Sequence, residues 1–151
     1  MGYGVVRDSA QQELVDFGCW TTSADELPEQ RLLHLYRSVL SVLDQAQPDV
    51  VAVERLFFNR NVTTAMSVSQ ARGVVLLAAA MRDVPVAEYT PLEVKQAVSG
   101  FGRAGKDQMQ RMIQALFQLP APPHPDDAAD AVAVAVCHLH YAPARRLGLR
   151  Q

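Results

Sequence analysis

Four acidic residues in two places along the chain have the types and spacing for phosphate chemistry. Glu54 ends a short apolar run, and Asp126, Asp127 and Asp130 lie in the segment PDDAADAVAVAV. Asp127 and Asp130 are three residues apart, so on a helix they share one face. Mg²⁺ prefers carboxylate oxygens, and two such ions about 4 Å apart can activate water and stabilise a leaving oxygen. The pattern is therefore compatible with metal-dependent phosphodiester cleavage.

Each of these acids also has a plainer explanation. A charge at the end of a strand can reach solvent, and taken alone this accounts for Glu54. Acids in the first turn of a helix are favoured by the helix dipole, which accounts for Asp126 and Asp127. It accounts less well for Asp130, because six apolar residues follow at once and a carboxylate entering a buried helix needs a partner.

The first half of the chain predicts the elements that position Glu54. Segments 2–6 and 14–22 are β-prone around a turn at 8–10, which predicts a hairpin. Apolar spacing predicts a helix that Asp25 caps and Gln47 to Asp49 end. The β-branched run 50–53 then predicts a buried strand ending in Glu54. Residues 56–61 predict a loop, and a long helix over 63–82 follows it.

The second half predicts the elements that position the aspartates. A strand over 84–89 leads into Thr90-Pro91-Leu92-Glu93, a capping box, and Gly100 ends the helix it starts. A glycine-rich loop over 101–105 precedes an amphipathic helix around Met109 to Phe117. The last helix spans Asp126 to His140. This order predicts an α/β domain with a mixed sheet covered by helices on both faces.

Length and composition restrict the class of protein. A chain of 151 residues with 49% hydrophobic and 20% charged residues suits one globular domain. We expect that domain to span 1–151, with a flexible tail from about residue 142. There is no apolar run of about 18 residues and no secretory leader pattern, so we expect a cytoplasmic protein. Cys19 and Cys137 have no metal or redox spacing and predict reduced thiols.

Charge is distributed unevenly although the net charge is −2. Residues 1–50 hold three basic and eight acidic side chains, and residues 51–151 hold eleven basic and eight acidic ones. If the later acids hold metal, the remaining surface of that half could attract phosphate. Ordinary scatter of charges explains the asymmetry equally well.

Five segments resemble the RuvC family of Holliday-junction resolvases in order and spacing. They are GYGVV, QPDVVAVERLFF, SQARGVVLLAA, PLEVKQAVSGFGRAGKDQM and HPDDAADAVAVAVCH, and the resemblance covers essentially the whole chain. It implies an RNase H-like fold, a homodimer, and Mg²⁺- or Mn²⁺-dependent symmetric cutting of four-way junction DNA. It also implies the branch-migration proteins RuvA and RuvB as partners.

The resemblance implies roles for individual residues. Glu54, Asp127 and Asp130 match catalytic acids that hold the metal ions, whereas Asp126 is an extra neighbour. Lys106 and Lys95 match basic positions near the active site that contact DNA or the scissile phosphate, and we count Lys106 among the catalytic residues.

The resemblance implies further contacts with DNA and with a second copy. Phe57 matches a position whose ring wedges into the junction, and Arg72 is matched to phosphate binding with less support. The helix around Gln70 to Ala80 matches the dimer surface. Phe57 could also anchor a loop on the core, and Lys95 could be a solvated helix charge. A metal site of Cys137, His138 and His140 is not expected, because neighbouring helical residues point to different faces.

The chain departs from the family pattern at its start. Members begin with a strand reading roughly Ile-Asp-Pro-Gly, whose aspartate is the first catalytic acid, whereas this chain begins at Met1-Gly2-Tyr3. That strand belongs between the hairpin and the strand of Glu54. Without its aspartate we expect this chain to be poorly active or inactive.

Two further functions stay open from the sequence. A dimeric junction-binding module without catalysis would bind equally well after Glu54→Gln. An RNA nuclease of the same fold would prefer an RNA–DNA hybrid to a four-way junction.

Overall fold

The computed structural model describes residues 1–55 and 62–146, without the side chains of 62–64 and 143–146. In these ranges the elements follow the predicted order. They are β1 (Gly2–Arg7), β2 (Glu13–Cys19), α1 (Pro28–Ala46), β3 (Val51–Glu54), α2 (Val62–Ala80), β4 (Val86–Tyr89), α3 (Pro91–Ser99), α4 (Lys106–Leu116) and α5 (Asp126–Arg146). The last helix continues beyond its predicted end at His140. None of the described helices is long and apolar enough to cross a membrane.

The strands pair in both senses, as a mixed α/β fold requires. β1 and β2 form the predicted antiparallel hairpin, with Gly2 opposite Cys19. β3 pairs with β4 in a second two-stranded sheet. The Val51 amide donates to the Pro85 carbonyl at 2.9 Å, and the Arg55 amide donates to the Tyr89 carbonyl at 2.7 Å. Residue numbers therefore increase in the same direction along both strands, so the pair is parallel. The strands therefore form two separate sheets where one mixed sheet was predicted, because in the described ranges no strand lies between β1 and β3 to join them.

Helix ends follow local chemistry with one exception. Thr90 and Glu93 form the predicted capping box at the start of α3, and Gly100 ends it with a φ of 73°, a left-handed conformation that suits glycine. At α1 the prediction was wrong. Asp25 does not cap the helix; Leu27 occupies the cap position without a side-chain bond, and Pro28 starts the helix. Proline is pre-organised for that first position, so the boundary lies later than Asp25.

The residues form two compact units, each built from separate stretches of chain. The first comprises Met1–Cys19, Ala52–Arg55 and Glu88–Gln151, and the second comprises Trp20–Val51 and Leu56–Ala87. The prediction of one domain over 1–151 stays a prediction.

The first unit is organised around α5. In the run 131–136 that was predicted to be buried, four residues are buried and two, Ala131 and Ala135, are partly buried. The buried residues of this helix are Ala128, Ala129, Val132, Ala133, Val134, Val136 and Cys137. Cys137 and Cys19 are not joined by a disulfide. α5 can lie close to β1 because two glycines face it. A side chain at Gly4 would meet the Val132 backbone at 2.9 Å, and one at Gly2 would collide with the Asp127 carbonyl. The GYG motif therefore permits direct helix-on-strand packing.

The second unit is a pair of packed helices. Val39 and Leu43 of α1 are buried, as are Ala78 and Ala79 of α2. The predicted small residues of α2 thus bring the two backbones close together. Arg82, just after α2, binds Asp44 of α1 through two contacts of 2.6 and 2.9 Å, and this guanidinium lowers the pKa of Asp44.

Candidate active site

Glu54 occupies the C-terminal end of β3, the edge at which ligands bind in open α/β sheets. Its side chain is accessible to solvent, so an ion or a phosphate can reach it. Partial desolvation raises the pKa of Glu54, the negative charge of Asp130 raises it further, and Lys95 opposes both. The structure therefore places Glu54 of β3, Asp130 of α5 and Lys95 of α3 in one electrostatic field.

Asp130 stands one turn into α5, just before the buried run. Desolvation is the main cause that raises its pKa, Lys106 lowers it, and Asp127 and Asp126 raise it again. The sequence left open which group interacts with a carboxylate at this position, and the structure identifies the Lys106 cation as one such group. Asp130 is itself exposed, and its neighbours include the Lys106 cation as well as two like charges.

Asp127 lies in the first turn of α5, with 62% of its side chain exposed. Its carboxylate is 3.8 Å from the thiol of Cys19. In the part of the chain that the structure describes, no three His, Cys, Asp or Glu side chains come together as a metal cluster. The charge of Asp127 acts on Asp130, but in the described residues these two acids and Glu54 do not form a cluster of three metal ligands. The metal-binding roles of all three therefore remain predictions.

Lys106 starts α4 and forms an ion pair of 2.8 Å with Asp126. Gln110, one turn later, donates to the other oxygen of the same carboxylate at 2.8 Å. These two bonds lower the pKa of Asp126, and the pair with Asp126 raises the pKa of Lys106. Asp126 is therefore occupied by α4, which agrees with leaving it out of the metal site, and Lys106 remains a cation beside Asp130.

Of the three other predicted DNA contacts, the structure brings Lys95 near the acids. Phe57 lies outside the described residues. Arg72 lies on α2 in the second unit, with a partly buried side chain, and its proposed phosphate contact stays a prediction.

One contact in the first unit was not predicted from the sequence. Tyr89 ends β4 and its hydroxyl lies 2.8 Å from Nδ1 of His138 on α5. His138 was considered only as a metal ligand and set aside. The available signal was an aromatic residue at a strand end next to a capping box, with a histidine three helical turns beyond Asp127.

The donor set suits a hard divalent cation. Carboxylate oxygens are the ligands that Mg²⁺ and Mn²⁺ prefer. Desolvation is the main cause that raises the pKa of both Glu54 and Asp130, and neighbouring carboxylates raise each further. A cation bound there would remove this repulsion, so the residues fit the group.

Comparison with known proteins decides the family. The sequence model of the family "Crossover junction endodeoxyribonuclease RuvC" matches residues 1–138. The chain belongs to the RuvC family. It is 55% identical over 147 residues to the RuvC of Moorella thermoacetica, covering 97% of this chain and 88% of that protein. It is 52% identical to the RuvC of Thermomicrobium roseum, covering 97% of this chain and 90% of that protein.

Solved structures of RuvC have the same fold. The structure of Thermus thermophilus RuvC matches with a TM-score of 0.86 and 38% identity, covering 98% of this chain and 90% of that one. The same enzyme in complex with a Holliday-junction substrate matches with a TM-score of 0.86. The yeast mitochondrial resolvase Ydc2 matches with a TM-score of 0.63 at 11% identity, which shows a shared fold alone. The RNase H-like fold and the resolvase family implied by the sequence are therefore confirmed.

Proposed function

We propose that this chain resolves four-way DNA junctions by hydrolysing phosphodiester bonds at the site around Glu54 and Asp130. The observation that carries the proposal is the placement of Glu54 at the C-terminal end of β3, with the charge of Asp130 from α5 acting on it. The chain belongs to a family of junction endonucleases, and a relative has been solved on a Holliday-junction substrate. The alternative of a binding module without catalysis is less favoured, because binding of DNA phosphates gives no role to carboxylates such as Glu54 and Asp130.

RuvC nucleases are metal-dependent, and we propose Mg²⁺ or Mn²⁺ as the ion. Glu54, Asp130 and Asp127 would hold it. When bound, such an ion polarises a phosphoryl oxygen and lowers the pKa of a bound water.

The lysines have separate tasks in this proposal. Lys106 remains protonated because Asp126 stabilises its charge, so it can stabilise negative charge that develops on the scissile phosphate. The pair with Asp126 is half exposed, so exchanging that partner for a phosphate costs little. Lys95 offsets the Glu54–Asp130 repulsion and can contact the adjacent backbone phosphate, while Phe57 and Arg72 would contact the junction.

Symmetric cutting requires two sites, and we propose that α2 forms the homodimer surface. Met66, Gly73 and Leu77 fall on one stripe of this helix at i, i+7 and i+11. Met66 is 62% and Leu77 is 55% exposed, and a side chain at Gly73 would meet nothing within 4 Å. An exposed apolar stripe with a glycine at its centre allows close approach of a second helix.

Leu77→Glu should convert the dimer to a monomer. A charge in an apolar interface costs several kcal/mol unless it is paired, so the dissociation constant should rise by at least about 100-fold. Sedimentation velocity over a concentration series measures this change. Val68→Glu is the matched control, because Val68 is 41% exposed but lies on the opposite side of α2. If both variants stay dimeric, α2 is not the interface.

The test of the proposed activity uses a labelled synthetic four-way junction with Mg²⁺ or Mn²⁺. Paired symmetric nicks in strands of like polarity, with linear duplex and RNA–DNA hybrid left intact, are the expected result. Preferential cutting of the hybrid would favour an RNA nuclease. Junction binding without nicks at any metal concentration would favour the binding module. A cytoplasmic location and cooperation with RuvA and RuvB belong to the same proposal.

A further inference from the structure

Tyr89 is a buried polar residue at the meeting point of the elements that carry the site. Its side chain is 0% exposed, and a buried phenol requires a hydrogen-bond partner. That partner is Nδ1 of His138 on α5, 2.8 Å from the hydroxyl oxygen. Tyr141, three residues further along α5, stacks on the Tyr89 ring with centroids 6.2 Å apart and an interplanar angle of 20°. The side chain of Tyr89 is thus fixed to α5.

The backbone of Tyr89 is fixed to the strand that carries Glu54. Its carbonyl accepts the amide of Arg55, the residue after Glu54, at 2.7 Å. The guanidinium of Arg55 also lies 3.7 Å from the carboxylate of Glu88, the neighbour of Tyr89. A displacement of Tyr89 would therefore be transmitted to the end of β3.

His138 connects this point to the aspartates. It lies eight residues after Asp130, a distance of about 12 Å along a helix axis. His138 also lies eleven residues after Asp127, close to three full turns, so His138 and Asp127 face the same side of α5. A helix of this length moves as a rigid body, so the bond at His138 limits rotation and sliding of both acids relative to Glu54.

Helix α3 also starts next to Tyr89. Thr90 follows Tyr89 directly and accepts the Glu93 amide at 3.2 Å, which fixes the beginning of α3. α3 carries Lys95, the cation whose charge lowers the pKa of Glu54. Glu54, Lys95 and Asp130 therefore come from three elements that meet at one tyrosine.

We propose that Tyr89 and His138 are positioning residues that set the separation of Glu54 from Asp130 needed to bind a divalent cation. The inference rests on the proposed function. Apolar contacts along α5 are non-directional, whereas a hydrogen bond between two rings is directional. Outer groups that orient metal ligands in this way affect affinity without touching the ion.

Four variants of the full chain separate positioning from packing. Tyr89→Phe removes the hydroxyl and keeps the ring, and His138→Leu removes the other partner. His138→Asn places an amide near the former Nδ1 and can restore the bond. Tyr141→Phe is the matched control, since it removes a hydroxyl from the same cluster and leaves the Tyr89–His138 bond intact.

The primary measurement is the dissociation constant of Mn²⁺ for the DNA-free chain, followed by electron paramagnetic resonance. Tyr89→Phe and His138→Leu should weaken Mn²⁺ binding on the order of 10-fold, as expected for the loss of an outer orienting bond. His138→Asn and Tyr141→Phe should bind as the parent does. Hydrogen exchange at the Arg55 amide should accelerate in His138→Leu, because loosening Tyr89 also loosens its carbonyl.

A merely structural role would give a different result. Tyr89→Phe would then lower the unfolding midpoint and leave the Mn²⁺ dissociation constant equal to that of Tyr141→Phe, and the inference would be wrong. Glu54→Gln distinguishes this failure from failure of the proposed function. If Glu54→Gln abolishes Mn²⁺ binding while Tyr89→Phe does not weaken it, only the positioning role is wrong; if Mn²⁺ binding is insensitive to Glu54→Gln, both are.

Discussion

Glu54→Gln should lower metal-dependent nicking of a four-way junction by about 10³-fold and leave junction affinity nearly unchanged. The amide keeps the size of the side chain but loses the charge that attracts a cation, whereas recognition of the junction rests mostly on phosphate contacts elsewhere. Single-turnover cleavage at saturating protein measures the chemical step, and junction affinity without divalent ions measures binding. A loss of cleavage without a loss of junction affinity would assign Glu54 to the chemical step.

The same substitution should slightly stabilise the metal-free protein. Glu54 has a raised pKa in the folded state, so its ionised form costs stability at neutral pH. The gain should disappear as the pH falls through the raised pKa, because the parental carboxyl is then already neutral. Since the side chain is solvent-accessible, we expect less than about 1 kcal/mol. Thermal unfolding of parent and variant over a pH series, with a chelator present, measures this difference.

Glu88→Gln is the matched control for both effects. Glu88 lies near the end of the neighbouring strand β4, is partly exposed, and contacts Arg55 instead of another acid. It should retain nicking and gain no stability at neutral pH. Equal nicking by Glu54→Gln and the parent would contradict the assignment of Glu54. Binding without nicks in the parent as well would support the binding module.

Local signals in the sequence predicted the elements well where one residue type has one physical role. The capping box at Thr90 and Glu93, the stop at Gly100 and the buried run after Asp130 all appear as expected. Asp25 failed because two signals competed, a side-chain cap and a proline at the first helical position, and Pro28 determined the boundary.

Pairing between distant residues could not be predicted from spacing. The Lys106–Asp126 ion pair links α4 to α5, and the Tyr89–His138 contact links β4 to α5. Both depend on how α5 is rotated against its neighbours, which a hydrophobic pattern does not define when nearly every face is buried. The acids themselves were found from type and position, but the effect of the Asp130 charge on the pKa of Glu54 could be described only once β3 and α5 had been placed.

Gly4→Ala should destabilise the first unit through a clash between β1 and α5. The new Cβ would lie 2.7 Å from Cγ2 and 2.9 Å from the Cα of Val132, and a helix backbone cannot move aside without shifting α5. Overpacking of this kind costs about 1–3 kcal/mol, which lowers the unfolding midpoint of a domain of this size by about 3–10 °C. Because Val132 lies two residues after Asp130, Mn²⁺ affinity should fall as well.

Gly18→Ala tests whether the loss at Gly4 comes from α5 or from the hairpin. Its new Cβ would meet Cε1 of Tyr3 at 2.9 Å, and this ring lies at the end of a side chain that can rotate away. We therefore expect a change within about 0.5 kcal/mol and unaltered Mn²⁺ affinity. Equal destabilisation by the two substitutions would mean that the hairpin resists any added side chain. Gly4 would then have no special part in holding Asp127 and Asp130 against β1.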